Sequence, residues 1–284
     1  MRAVLAGIDI GSMGRRVADR ARLIAEATGS PLRILHVLEP VTEAMIEPSH
    51  ARLMREHQTV EARKLTEWIE GRSAVPVELE VVNGSPSWAI AQRAKSSSLV
   101  VLGSSAIDNF SVGPVALRVA RMSRVDTLIV RRQQRAPYRR VIAGVDFSEQ
   151  SRVAVNHSLE RFPDAEITVL YSLPARFDPI LADAGLFNEE VTASREHRLA
   201  RARDRMVEFA SVWEGSVKTE VVDGPPTSTI AETLRRRGAD LVVVGSRGAS
   251  STRMVLLGTV AEGLVSTAPC DVLVARGPSQ FRRP

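Results

Sequence analysis

Leu241-Val242-Val243-Val244-Gly245-Ser246 and, far earlier in the chain, Leu99-Val100-Val101-Leu102-Gly103-Ser104 carry one pattern: an unbroken apolar run that stops at a glycine and a serine. A short run of that kind, bounded by turn residues, reads as a strand buried on both faces, as in a parallel sheet covered by helices. Outward from it the rest of each half matches in order. Ala3-Val4-Leu5-Ala6-Gly7-Ile8-Asp9 pairs with Val141-Ile142-Ala143-Gly144-Val145-Asp146, and Val81-Val82-Asn83-Gly84-Ser85-Pro86 with Val221-Val222-Asp223-Gly224-Pro225-Pro226. Asp126-Thr127-Leu128-Ile129-Val130-Arg131 pairs with Asp271-Val272-Leu273-Val274-Ala275-Arg276. The distance between partners grows along the chain, so the second half carries the insertions.

Between these landmarks the apolar period changes to that of helices. Val17, Ala21, Ile24 and Ala25 give one helix an apolar stripe, and residues 50–70 read as a longer charged helix with Leu53, Val60, Leu65 and Trp68 for its buried face. In the second half a long Arg/Glu-rich helix is expected over 189–213, including Leu199, Met206 and Phe209. The alternation predicts an α/β chain of two tandem doubly wound, Rossmann-like domains, each a five-stranded parallel sheet with helices on both faces. The expected domains are residues 1–132 and 138–278, joined by the polar stretch that ends in Pro137.

Composition narrows the function classes. The chain has 284 residues, 44% hydrophobic and 25% charged, with a formal net charge of +5, which suits two soluble domains. No apolar run approaches the roughly 20 residues of a membrane span. The N-terminus enters a strand without the pattern of a signal peptide, so a cytoplasmic location is expected. The single cysteine, Cys270, rules out a disulfide within the chain and reads as a small buried hydrophobe. Arginines are spread over helices and tails, and no nucleic-acid-binding motif accompanies them. His36, His50, His57, His157 and His197 show no metal-ligand spacing with acids or cysteines.

In an open parallel sheet the ligand crevice lies beyond the carboxyl ends of the strands where the strand order reverses. That rule selects Asp146, after the first strand of the second half, and the loop after Gly245. The loop runs Gly245-Ser246-Arg247-Gly248 and, nine residues later, Gly258-Thr259 at the start of a helix, Val260-Ala261-Glu262. Glycines allow close approach, and free backbone N–H groups at a helix start favour an anion, so the loop is a sensible phosphate cradle. The plainer readings stand beside it: Asp146 before Phe147-Ser148 as a helix cap, Gly245 and Gly258 as punctuation, Arg247 as a solvated side chain.

The G-x2-G-x9-G-[S/T] spacing, with the upstream Asp146 and the repeated strand order, resembles the ATP-binding motif of the universal stress protein family, within the wider adenine-nucleotide α-hydrolase-like group. The resemblance covers both halves. It implies that Val145 and Asp146 face the adenosine side with Ser172 nearby, that Val244 and Gly245 line the floor, and that Gly248 folds the loop over the phosphates. It also implies that Gly258, Thr259 and Val260 hold the phosphate chain, with ATP accompanied by Mg2+ bound mainly through phosphate oxygens and water. Arg247 is able to reach a phosphate, though the motif does not require it. Family kinship further implies a stress-response or regulatory role in which ATP occupancy changes conformation or the choice of protein partner, and domain pairing through the edges formed by the last strands; the remaining surfaces leave room for a homodimer.

The first half departs from this motif. After Gly103 it reads Ser104-Ser105-Ala106, six residues separate Ala106 from Gly113, and Pro114 stands where Thr259 stands in the second half. Proline offers neither a hydroxyl nor an N–H, so the N-terminal copy is expected to bind ATP weakly or not at all. No Gly-x-x-x-x-Gly-Lys-[Ser/Thr] loop and no Gly-x-Ser-x-Gly elbow occur, so slow hydrolysis at most is expected, not an enzyme. A nucleotide-independent interaction or chaperone-like module is the alternative function.

Overall fold

The computed structural model describes residues 2–39, 47–104, 112–132, 136–174, 189–246 and 257–277. The first half runs β1 (Ala3–Ile8), α1 (Ser12–Ala27), β2 (Leu32–Leu38), α2 (Pro48–Glu70), β3 (Val77–Asn83), α3 (Pro86–Ala94), β4 (Ser97–Gly103), α4 (Pro114–Met122) and β5 (Asp126–Val130). The second half repeats it as β6 (Arg140–Val145), α5 (Glu149–Arg161), β7 (Glu166–Leu173), α6 (Glu189–Ala210), β8 (Lys218–Asp223), α7 (Pro226–Arg237), β9 (Leu241–Gly245), α8 (Thr259–Thr267) and β10 (Asp271–Ala275). A 3-10 turn, Ser211–Trp213, ends the long helix that the sequence extends to 213.

The halves share one ten-stranded sheet in the order β3-β2-β1-β4-β5-β10-β9-β6-β7-β8. Pairing is parallel within each half and antiparallel once, where β10 meets β5 with Leu273 opposite Leu128. The last strands would be edges of separate five-stranded sheets, but here they close on each other and all ten of their residues are buried. The edges of the sheet are β3 and β8 instead. Because the central pair is antiparallel, the strands of the two halves point in opposite directions, and their carboxyl ends lie on opposite rims of the sheet.

Each face carries a core that crosses the seam. One joins Val17, Ile24 and Ile34 of the first half to Val141, Val153 and Phe162 of the second. The other joins Ile90, Val100 and Val119 to Ile230, Val242 and Leu264. Helix α1 buries the stripe the sequence predicts, but α2 does not. Leu53, Val60 and Trp68 are exposed, and α2 buries Ala51, Ala62, Leu65, Thr66 and Ile69 instead. Small residues at 51 and 62 let the helix approach the sheet, while Trp68 lies outside beneath the Arg72 guanidinium, 4.8 Å from its ring centre.

Two buried carboxylates fasten the seam. Asp126, at the start of β5, accepts hydrogen bonds from the Arg276 N–H (2.8 Å), His157 Nδ1 (3.0 Å) and Arg161 Nε (2.9 Å). Asp271, at the start of β10, accepts from the Arg131 N–H (2.7 Å), the Arg132 N–H (3.0 Å) and the Tyr138 hydroxyl (2.7 Å). Each acid thus takes the N–H of the arginine just past the opposite strand. Those arginines also cross over: Arg131 donates to the Val265 and Ser266 carbonyls at the end of α8, and Arg276 to those of Ala120 and Arg121 at the end of α4. Last-turn carbonyls lack helical partners and attract cations, so each half caps a helix of the other.

The two acids titrate differently. Burial pushes both up, but around Asp126 the His157 hydrogen bond and the Arg161 and His157 charges outweigh it and hold the carboxyl below its ordinary range. Asp271 has no such close cation, with Arg20 Nε at 3.9 Å, and stays raised. Burial pushes His157 down, yet its hydrogen bond and attraction to Asp126 win and raise it above 6.5. A raised histidine stabilises the fold fully below its unfolded value and loses that contribution as pH climbs through the folded one. Denaturant unfolding measured across pH is therefore expected to show stability falling as the solution is taken above about pH 6.5. His157→Leu should cost about 3 kcal/mol at pH 6 and abolish that slope.

Candidate functional site

The order of strands reverses between β1 and β4 in the first half and between β6 and β9 in the second, so each half has one crevice. In the second, Asp146 directly follows β6. Its Oδ1 accepts from the Ser148 N–H (3.1 Å) and the Ser151 hydroxyl (2.7 Å), while Ser151 Oγ accepts from the Asp146 N–H (2.9 Å). Ser148 caps α5 by accepting from the Ser151 N–H (3.2 Å). The cap of α5 is therefore Ser148, and Asp146 builds the turn before it, at the mouth of the crevice. Between them Phe147 takes φ +65°, a left-handed backbone that costs a non-glycine residue about 1 to 2 kcal/mol. Its ring is held by Tyr171 (4.4 Å between centres) and Phe209 (5.5 Å).

Gly245 ends β9 beneath the first turn of α5, and a Cβ there would lie 2.7 Å from the Gln150 carbonyl oxygen. Only glycine admits the helix this close. Ser246 closes the base of the following loop, its carbonyl accepting the Gly258 N–H (2.9 Å). Gly258 then stands at the N-cap of α8 with its own carbonyl taken by Glu262 N–H (2.8 Å). Thr259 is exposed and Val260 half-buried. The N–H groups of Thr259, Val260 and Ala261 form the first turn, where helical geometry supplies no acceptor.

The remaining expected site residues are placed less simply. The Val145 side chain belongs to the cluster of Met206, Phe209 and Trp213, and Val244 to the opposite layer with Ile230 and Leu264. Ser172 is buried, and its hydroxyl donates to the Gly224 carbonyl (2.7 Å), pinning the turn after β8. Arg247 and Gly248 lie outside the described residues. Cys270 is buried and its thiol is pushed up to about 12, first by burial and then by the charge of Asp271, as befits a packing residue. Among the described residues no cluster of three or more metal-ligating side chains occurs, so any cation here would depend on the ligand's own oxygens.

Two hollows escaped the sequence reading. One, about 520 Å³, lies beyond β7 against α6, lined by Phe147, Tyr171, Arg198, Arg201 and Arg205. The Arg205 guanidinium sits over the Phe147 ring at 4.6 Å. The arginine density of α6 was visible, but not that these three share one face. The other, about 570 Å³, fills the crevice of the first half, between Asp9, His36, Gly103 and Pro114. There Asp9 Oδ1 accepts from the Gly11 (3.1 Å) and Gly14 (2.7 Å) N–H groups, the same turn built with glycines in place of serines. A lone histidine in the apolar run of β2 was its signal.

A doubly wound sheet whose two crevices are each opened by an acid and bordered by a glycine-capped helix start defines a tandem α/β protein of the Rossmann-like class. The sequence model of the universal stress protein family matches residues 1–131 and again 137–276, and the chain belongs to that family. A universal stress protein of Methanocaldococcus jannaschii is 28% identical over 145 residues, 50% of this chain and 85% of its own. The crystal structure of a universal stress protein from Archaeoglobus fulgidus superposes over 96% of this chain and 98% of its own, with a TM-score of 0.69 at 18% identity. A protein of unknown function from Pseudomonas aeruginosa does so over 97% and 92%, also at 0.69 and 18%. No described helix is long and apolar enough to cross a membrane.

The contact beneath Gly245 gives a direct check. Gly245→Ala drives a methyl into rigid helix backbone and should destabilise the protein by about 2 kcal/mol in a urea titration, with a slope that stays unchanged.

Proposed function

We propose that the second half, taken as residues 138–278, binds ATP with its Mg2+, and that the first, residues 1–132, does not. The observation that carries this reading is the contrast at the two helix starts. Behind Gly258, α8 opens with Thr259 and a full set of first-turn N–H groups; behind Gly113, α4 opens with Pro114, which has none to give at that position. The phosphates would lie on the first turn of α8 with the Thr259 hydroxyl, under the loop that contains Arg247 and Gly248. Asp146 and the arginines of α6 would flank the nucleoside end, the hollow against Phe147 and Tyr171 offering positive charge beside an aromatic pair. Magnesium would ride on phosphate oxygens and water.

Binding without rapid turnover follows from the loop between Gly245 and Gly258, which has no lysine to track a transferring phosphoryl group. The protein would then act in stress response as a regulator whose partner distinguishes the ATP-bound from the empty state. Such a switch needs a difference in partner affinity between those states.

The test copies the first half into the second. Proline is well tolerated at the first position of a helix, so Thr259→Pro should leave thermal unfolding unchanged while weakening ATP binding by about tenfold or more, worth about 1.4 kcal/mol, in isothermal titration. Equal affinity in the variant would overturn the assignment of the phosphate site. An absence of ATP binding by the unaltered protein would favour a nucleotide-independent interaction module.

A further inference from the structure

The first turn of α8 carries an acid as well as a threonine. Glu262 stands three residues after Thr259, and side chains at that spacing on a helix are neighbours, with Cβ atoms about 5 to 6 Å apart. Helical Cα–Cβ bonds also tilt toward the N-terminus, so the Glu262 side chain leans back toward the helix start. An acid there favours the helix by complementing its dipole, but it opposes a second anion on the same turn. A phosphate bound at Thr259 would meet it.

The first half supplies the counter-charge. Arg121, in the last turn of α4, donates from Nη2 to Glu262 Oε1 across the seam. The far ends of both helices are fixed for that contact by the crossed arginines, Arg276 on the Ala120 and Arg121 carbonyls and Arg131 on those of Val265 and Ser266. The link runs one way. Counted from Gly113 and Gly258, the first half has Leu117 where the second has Glu262, and the second has Ser266 where the first has Arg121. The paired side chains are 40% and 37% exposed, and an ion pair in such a setting adds little to stability. Its consequence lies in the field at the helix start, where an unneutralised carboxylate close to a phosphate subtracts directly from binding.

We propose that Arg121 is a positioning residue for the nucleotide of the second half: it holds and neutralises Glu262, so that affinity for phosphate depends on the contact between the halves. This rests on the reading of α8 as the phosphate site. By the reciprocity of linkage, a bound phosphate in turn strengthens the hold of Arg121 on Glu262 and tightens the seam. The half that opens its own helix with Pro114 thereby takes part in the site of the other.

Isothermal titration of the full chain with MgATP tests it. Arg121→Gln should weaken binding about tenfold, and salt at about 1 M, where the Debye length is about 3 Å, should shrink the difference from the unaltered protein. Glu262→Gln should bind at least as tightly as the unaltered protein, and the double variant of Arg121→Gln with Glu262→Gln should recover that affinity, which a purely structural role for Arg121 would not allow. Equal affinity in Arg121→Gln, a loss that the double variant does not recover, or a loss in Glu262→Gln would each overturn the inference and leave the phosphate site standing. An unaltered protein that binds no ATP would instead remove the reading on which the inference rests, and the inference with it.

Discussion

The antiparallel contact of β5 with β10, clamped by the buried carboxylates of Asp126 and Asp271, is the constraint on which the rest of the molecule depends. Five parallel strands per half leave an open edge of unpaired backbone groups. Pairing those two edges removes both and makes one sheet with two continuous apolar layers. The clamp is reciprocal, since each acid binds the backbone just beyond the other strand and each arginine there caps a helix of the other half. Separating the halves would expose an ionised or hydrogen-bonded carboxyl on each side together with the apolar seam, so neither half is expected to be indifferent to loss of the other.

The same antiparallel contact sends the two crevices to opposite rims, and this frees them to diverge. At the seam the two halves stay close to symmetric. At the crevices they do not: the glycines of 11 and 14 become Ser148 and Ser151, His36 becomes Tyr171, and Pro114 becomes Thr259. Each exchange has a chemical sense. Serines lend hydroxyls to the turn around Asp146, an aromatic pair replaces a lone imidazole, and a helix start regains its first N–H. The two rims thereby come to differ in chemistry within a shared architecture.

Much of this was legible in the sequence. The repeat, the strands and α1's buried stripe followed from apolar period and turn residues, because those signals are local. The face of α2 was not, since Ala51 and Ala62 pack by virtue of being small and Trp68 finds an arginine outside, a choice made by tertiary neighbours. Asp146, Gly245 and Gly258 were proposed from spacing, which did not reveal that Asp146 bonds Ser148 and Ser151 or that Gly245 lies against the Gln150 carbonyl. Asp126 and Asp271 read as ordinary strand starts, and only the seam turns them into a clamp. The burial of His36 Nε2 and Ser104 Oγ without a hydrogen-bond partner comes from packing, which no spacing in one dimension records.

The two halves share one fold but differ at their helix starts, and native mass spectrometry of the full chain equilibrated with MgATP counts the nucleotides each chain holds. A single ATP per chain at saturation is expected. Two ATP molecules per chain, or one retained after the second crevice is blocked, would contradict it.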